Sequence, residues 1–286
     1  ASGKEVFVWD RPTDAIKRVA AFDIDNPRFY AFSPDGSKLA VNYPHDRVER
    51  VSLCDVATGK VTELDGEGNS FEAFAFSGDG KRLAAVSDYR VFVWDAAEGK
   101  KLAEYKTGKL RIYQLALNPV GDVMAVVPTW EPYQVVFLDT LTGAAIEGLT
   151  GPQRARQVAF APDGKTVLAA DLTGVRWWDP AAGKLIRRFD GVAASGFGGP
   201  QATPRFTPDG KTLVAQNGWM LLRWDAETGQ PLFPQPHALG HAGYINALGF
   251  SPDGTRIATR GMDSRVIVWD AATGRQLWVA PALWSG

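Results

Sequence analysis

The sequence predicts an all-β fold, a β-propeller of repeated four-stranded antiparallel blades, and three observations predict it. First, an aromatic or apolar residue followed by Asp recurs along the chain: Trp9-Asp10, Cys54-Asp55, Trp94-Asp95, Leu138-Asp139, Trp178-Asp179, Trp224-Asp225 and Trp269-Asp270. The steps between successive Asp residues are 45, 40, 44, 40, 46 and 45. Second, a turn sequence stands between successive pairs: FSPDG at 32–36, FSGDG at 76–80, LNPVG at 117–121, FAPDG at 160–164, FTPDG at 206–210 and FSPDG at 250–254. Third, a glycine turn follows most of the Asp residues: ATGK at 57–60, AEGK at 97–100, AAGK at 181–184, ETGQ at 227–230 and ATGR at 272–275. Self-similarity at a fixed period is the mark of a repeat architecture.

Each marker has a mechanism. In SPDG, Pro presets φ at the first corner, Asp bonds its own backbone and Gly takes a positive φ. It joins two apolar runs, as in FYAF-SPDG-SKLAV at 29–41. The TG or EG pair turns the chain again after Asp. One period therefore reads strand, SPDG turn, strand, polar loop, strand ending in Asp, TG turn, strand. Four short strands without a helical 3.6-residue pattern describe one propeller blade.

Taken in order, residues 1–25 supply a half blade, with EVFVWD at 5–10 as a third strand and 15–22 as a fourth. Blades follow at about 26–69, 70–110, 111–153, 154–198, 199–242 and 243–286. The whole chain is expected to be a single propeller domain of seven-bladed type, with six complete blades plus the half blade. The alternative is a six-bladed ring with an appended strand pair. The first residue is Ala, and the next SPDG turn would fall past the end, so the expectation is a monomeric domain belonging to a longer chain.

These residues resemble the WD-repeat (WD40) family, in its bacterial form, over essentially the whole chain. YVTN-type, TolB-type and quinoprotein propellers share parts of the pattern, but the repeated WD ending favours WD40. The resemblance implies a buried hydrogen-bond relay in the last repeat of His241, Thr259, Asp263 and Trp269. Asp88 holds the equivalent turn position in an earlier repeat, where Ala84 replaces the hydroxyl and no His is present. The resemblance also implies closure of one blade by both termini and frequent fusion to other domains.

Charge excludes some partners. Thirty-one Lys and Arg against 32 Asp and Glu leave a net charge of −1, so neither nucleic acid nor a membrane surface is an expected partner. One Cys excludes an internal disulfide and three His leave little for a metal site, so no cofactor is expected. No apolar run long enough to span a bilayer and no signal-peptide pattern occur, and a soluble, cytoplasmic protein is expected. There is no HExxH, GxSxG, Walker-A or Cys-x-x-Cys sequence, and hence no catalytic residue to name. Cys54 reads as buried filler, and the SGFGGP stretch at 195–200 as an insertion in the longest loop.

The binding reading is better supported. On a repeated scaffold, positions just before each first strand vary from blade to blade. The resulting rim is rich in Arg, Tyr and Trp, types favoured in interface hot spots. Its candidates are Arg28, Arg111, Tyr113, Arg154, Arg156 and Tyr244, with Trp130 and Trp219 from the loops between second and third strands. Tyr43, Tyr89, Arg90, Tyr133 and Arg265 also lie on those loops. The expected function is a non-catalytic scaffold binding a peptide or protein segment at the narrow-face loops. The alternatives are a propeller enzyme or small-molecule binder using the central channel, and a regulatory domain fused to a catalytic or signalling one.

Overall fold

The turns show how the sequence makes strands. Gly36 takes φ 71°, Ser33 Oγ donates to Asp35 Oδ1 at 2.6 Å, and the same oxygen accepts the Ser37 N–H at 3.0 Å. The Lys38 N–H donates to Ser33 Oγ at 2.8 Å. Ser77 with Asp79, Thr207 with Asp209 and Ser251 with Asp253 repeat the hydroxyl-to-carboxylate bond. The strand-ending Asp works in the same way: Asp55 Oδ1 accepts both the N–H and the hydroxyl of Thr58, at 2.8 and 2.7 Å. Asp139, Asp225 and Asp270 hold Thr142, Thr228 and Thr273 likewise.

The computed structural model describes residues 5–10, 15–21, 30–45, 47–129, 134–171, 174–189, 204–207, 209–217, 220–232, 240–251 and 253–280. They form two compact units, Ala1–Glu147 and Gly148–Gly286. In the first unit, β1 (Glu5–Asp10) pairs with β2 (Ala15–Ala21). Next comes a sheet of β3 (Tyr30–Phe32), β4 (Lys38–His45), β5 (Val48–Asp55) and β6 (Val61–Gly68). Then come β7 (Phe71–Phe76), β8 (Arg82–Ser87), β9 (Arg90–Asp95) and β10 (Lys101–Lys106), and a sheet of β11 (Ile112–Leu117), β12 (Val123–Pro128) and β13 (Val136–Asp139). The second unit holds β14 (Gln157–Phe160), β15 (Val167–Asp171), β16 (Gly174–Asp179) and β17 (Lys184–Phe189). It continues with β18 (Arg205–Phe206), β19 (Thr212–Asn217) and β20 (Met220–Asp225). It ends with β21 (Ile245–Phe250), β22 (Arg256–Gly261), β23 (Val266–Asp270) and β24 (Gln276–Ala280). Every pairing is antiparallel and follows chain order.

Four described sheets have the expected four strands; the β11–β13 and β18–β20 sheets have three. Among the described residues, the segments after β13 and β20 each make an isolated bridge, Leu138 with Ala145 and Trp224 with Pro231. Pro231 has no N–H to donate, which weakens a ladder at that point. In the other case AAIEGLTGP at 144–152 breaks on two glycines and a proline.

The core lies between sheets. Along β8, Leu83 and Ala85 pack with Val51, Leu53 and Leu64 of the preceding sheet. Ala84 and Val86 face the other way, onto Ile112, Leu115 and Met124 of the following one. β9 alternates identically, Phe92 and Trp94 one way, Val91 and Val93 the other. A sheet covered on both faces needs apolar residues at every position, which explains continuous runs such as RLAAVS and VFVW. In the second unit, Leu213 and Ala215 pack toward β14–β17, and Val214 packs toward β21–β24.

Adjacent sheets also interlock at the glycine turns. A Cβ on Gly143 would sit 2.4 Å from the Tyr105 ring of the preceding fourth strand. Gly99 meets Thr62 at 3.0 Å and Gly229 meets Arg187 at 3.0 Å. Arg187 donates to the Thr228 carbonyl at 2.8 Å and the Glu227 carbonyl at 2.5 Å. Buried Arg223 of β20 donates to the Ala272 carbonyl of the following sheet at 2.7 Å. The framework tryptophans contribute: Trp94 Nε1 donates to Asp65 O at 2.8 Å and Trp178 Nε1 to Thr150 O at 2.6 Å. Trp177 turns to the opposite face and packs edge-on against Phe206, ring centroids 5.1 Å apart.

Candidate interaction face

In each described sheet of three or four strands the start of the first strand, the end of the second and the start of the third lie at one end, because the strands run as a meander. At that end of the β21–β24 sheet the chain is welded. His241 and Thr259 are buried. Trp269 Nε1 donates to Thr259 Oγ1 at 2.8 Å, Thr259 Oγ1 lies 2.9 Å from His241 Nε2, and His241 Nδ1 lies 2.9 Å from Asp263 Oδ1. An indole can only donate and an ionised carboxylate only accept. Trp269 therefore donates to Thr259 and His241 Nδ1–H donates to Asp263, and the Thr259–His241 bond closes the chain between them. Asp263 also accepts the Ala242 N–H at 2.7 Å and the Arg265 N–H at 3.1 Å. Burial opposes its ionisation, but the bonds from His241, Ala242 and Arg265 outweigh it and hold its carboxyl below the usual range. Gly261 leaves the space for the imidazole: a Cβ there would fall 2.3 Å from His241 Nδ1.

The other sheets solve the same problem differently. Asp88 sits in the β8–β9 turn at φ 55° with no histidine near it in sequence. One sheet earlier, buried Glu49 accepts Asn42 Nδ2 at 2.8 Å and the Phe71 N–H at 2.7 Å, tying β5 to the next sheet. No local motif announces Glu49; only the pairing of β4 with β5 brings Asn42 to it.

The predicted rim residues divide. Arg111 is ion-paired with Glu72 of the adjacent first strand, which holds its guanidinium above its ordinary value. Tyr113 and Tyr89 are exposed, 56% and 44%. Tyr113 and Glu72 each occupy a β-bulge, between Ile112 and Gln114 and between Phe71 and Ala73, and Asn246 occupies a third. A bulge leaves its extra residue outside the ladder and re-aims its side chain. In the second unit Arg154 and Arg156 are exposed, Arg154 at φ 57°. Tyr244 is exposed there too, and its carbonyl accepts the Met262 N–H at 2.8 Å. Met262 is the most exposed large apolar side chain described, at 66%. It belongs to none of the repeat markers in the sequence.

Two further side chains lie elsewhere than the sequence suggests. Tyr43 is buried, its hydroxyl donating to Glu63 at 2.9 Å. Arg90 lies over the Phe92 ring at 5.1 Å and pairs with Glu104. Cys54 is buried, and burial pushes its thiol up. Arg28, Trp130, Tyr133, Trp219, His237 and the 195–200 stretch lie outside the described residues.

Comparison with known proteins adds family. The family described as "WD domain, G-beta repeat" matches residues 59–95 and 234–270, so these two stretches carry WD40 repeats. Over 270 residues the chain is 25% identical to telomerase protein component 1 of Rattus norvegicus, covering 90% of this chain and 10% of that protein. It is 28% identical over 216 residues to eukaryotic translation initiation factor 3 subunit I of Emericella nidulans, covering 70% of this chain and 62% of the relative. The chain thus spans about a tenth of the first of these relatives. In three dimensions it is similar to a chain of Kuenenia stuttgartiensis hydrazine synthase, with a TM-score of 0.65 at 21% identity, covering 87% and 78% of the two chains. That likeness shows the propeller-like fold alone.

Proposed function

We propose that this chain, which carries WD40 repeats, is a non-catalytic protein-interaction module that binds a peptide or protein segment at the loop ends of its sheets. The observation that carries the reading is the display of exposed Tyr89 on a turn and Tyr113 on a bulge in one unit, and of Tyr244 and Met262 on loops held by a backbone bond in the other. An anchor on a preformed loop loses little entropy on binding. The relatives point the same way, since one is named as a subunit of a translation initiation factor and one as a component of telomerase. The small share of the telomerase component that is matched supports a domain of a longer protein. Repeat steps of 40 to 46 residues support a seven-bladed type with six complete blades and a half blade.

Selection of a displayed peptide library on the purified protein tests the function. Peptides recovered on the wild type should lose about thirtyfold in affinity against Tyr89→Ala/Tyr113→Ala or against Tyr244→Ala/Met262→Ala, as loss of a hot spot does, with the thermal midpoint little changed. Peptides that bind both double variants as tightly as the wild type would overturn the assignment of the face.

A further inference from the structure

The β14–β17 sheet is charged very differently at its two ends. Gln157 faces Ala170, Ala170 faces Val175 and Val175 faces Phe189. The chain before β14, the end of β15, the start of β16 and the end of β17 therefore meet at one end. That end carries Arg154, Arg156, Arg176 and Arg188, and among the described residues its one carboxylate is Asp171. Asp163 and Asp179 lie in turns at the opposite end. Asp171 pairs with Arg176 at 2.8 Å. Arg176 and Arg188 are direct cross-strand partners, and like charges so placed work against the sheet.

The loop before β14 is anchored on all sides. Arg176 Nη2 donates to the Gln153 carbonyl at 2.6 Å, Trp178 Nε1 to Thr150 O at 2.6 Å, and the Thr150 N–H to Pro180 O at 2.9 Å. Gly151, Pro152 and Ala155 are buried. Arg154 stands out from this anchored loop at φ 57°, a conformation that costs a side-chain-bearing residue energy. Arg154 and Arg156 are exposed, and neither is in an ion pair among the described residues. No ion pair among the described residues offsets the strain at Arg154; strain kept in an anchored loop is a feature of ligand clamps.

We propose that this end of the β14–β17 sheet recognises an acidic protein segment, whose carboxylates are taken by Arg154 and Arg156. The proposal rests on the reading of the chain as a protein-interaction module and adds the chemistry of the partner. A protein segment fits better than a nucleic acid: the chain carries a net charge of −1, and nucleic-acid binding draws on a broad basic field.

Fluorescence anisotropy with labelled peptides of five Glu-Ser or five Lys-Ser repeats tests it, using the full chain at low and high salt. The Glu-Ser peptide should bind at low salt and weaken as salt rises; the Lys-Ser peptide should not bind. Arg154→Glu/Arg156→Glu should weaken the Glu-Ser peptide at least about tenfold, as loss of interface charge pairs does. Arg154→Gly/Arg156→Ser, which accommodates the backbone, should also weaken it and guards against misfolding of the charge reversal. Three results would each overturn the proposal: no Glu-Ser binding, equal binding by both variants, or equally tight binding of a ten-residue oligothymidylate. If library peptides still bind at the loop ends while the Glu-Ser peptide does not, only the acidic partner is lost and the module reading stands.

Discussion

Thr259 occupies the centre of the relay, and its single hydroxyl serves two neighbours. It accepts from Trp269 and stands within hydrogen-bond distance of His241. Thr259→Val keeps the shape and removes both bonds, leaving two buried polar groups unpaired, each costing about 1–3 kcal/mol. The expected loss is about 3 kcal/mol by urea denaturation, with the slope unchanged. Arg154→Gly should go the other way: it relieves a left-handed residue at φ 57° and stabilises by about 1 kcal/mol, while the proposed acidic segment binds less well. An Arg154→Gly protein that melts earlier than the wild type would show that this side chain serves the fold. The relay residues were readable as a family pattern. Glu49 was not, because its partners Asn42 and Phe71 come from different strands and share no spacing with it.

At the scale of the element, the glycine turn carries more than its own geometry. Gly108 and Gly143 both have positive φ, 64° and 72°, but a Cβ on Gly108 meets nothing within 4 Å whereas one on Gly143 meets the Tyr105 ring. Gly108→Ala should cost about 1 kcal/mol for the backbone alone. Gly143→Ala should cost about 1–3 kcal/mol more, because a packed ring must move. The difference between the two, measured as urea midpoints, isolates the interlock between adjacent sheets. Turns and strands were legible here from Pro, Asp, Gly and the apolar runs. The isolated bridges at Ala145 and Pro231 were legible only in part: the proline warns of one, while 144–147 reads as an ordinary apolar segment. The family match at 59–95 begins in a glycine turn and includes β6 of one sheet with β7, β8 and β9 of the next. The repeat of the sequence and the sheet of the structure are out of step by one strand.

Across the whole molecule the turn chemistry becomes a pH response. Asp35, Asp79, Asp209 and Asp253 in the SPDG-type turns, and Asp55, Asp139, Asp225 and Asp270 at strand ends, all have carboxyls held below the ordinary value. For Asp253 the hydroxyl of Ser251 is the main cause, and its value falls to about 2. Such a group adds stability at any pH above the unfolded value of about 3.9. It gives that up as the pH falls through its lowered value. With eight groups acting together, the thermal midpoint should be flat from about pH 7 to 5 and fall steeply below about pH 4. A midpoint that declines evenly from pH 7 would show that these aspartates do not govern it. The repeat architecture was legible at this scale from the spacing of seven Asp residues. The rim was legible as residue types but not as geometry: nothing in the sequence says that Arg111 spends its charge on Glu72 or that Tyr43 turns inward.

The one-strand offset between repeat and sheet bears on how such a chain can change over generations. A stretch of gene cut at two glycine turns encodes the fourth strand of one sheet and three strands of the next, so it carries both a key for the following turn and a lock for the preceding strand. Duplicating or swapping such a stretch hands on a complete pair of fittings, whereas a cut inside a sheet hands on strands without their receptacle. Recombination that respects the turns keeps the framework intact and leaves the loop residues free to diversify.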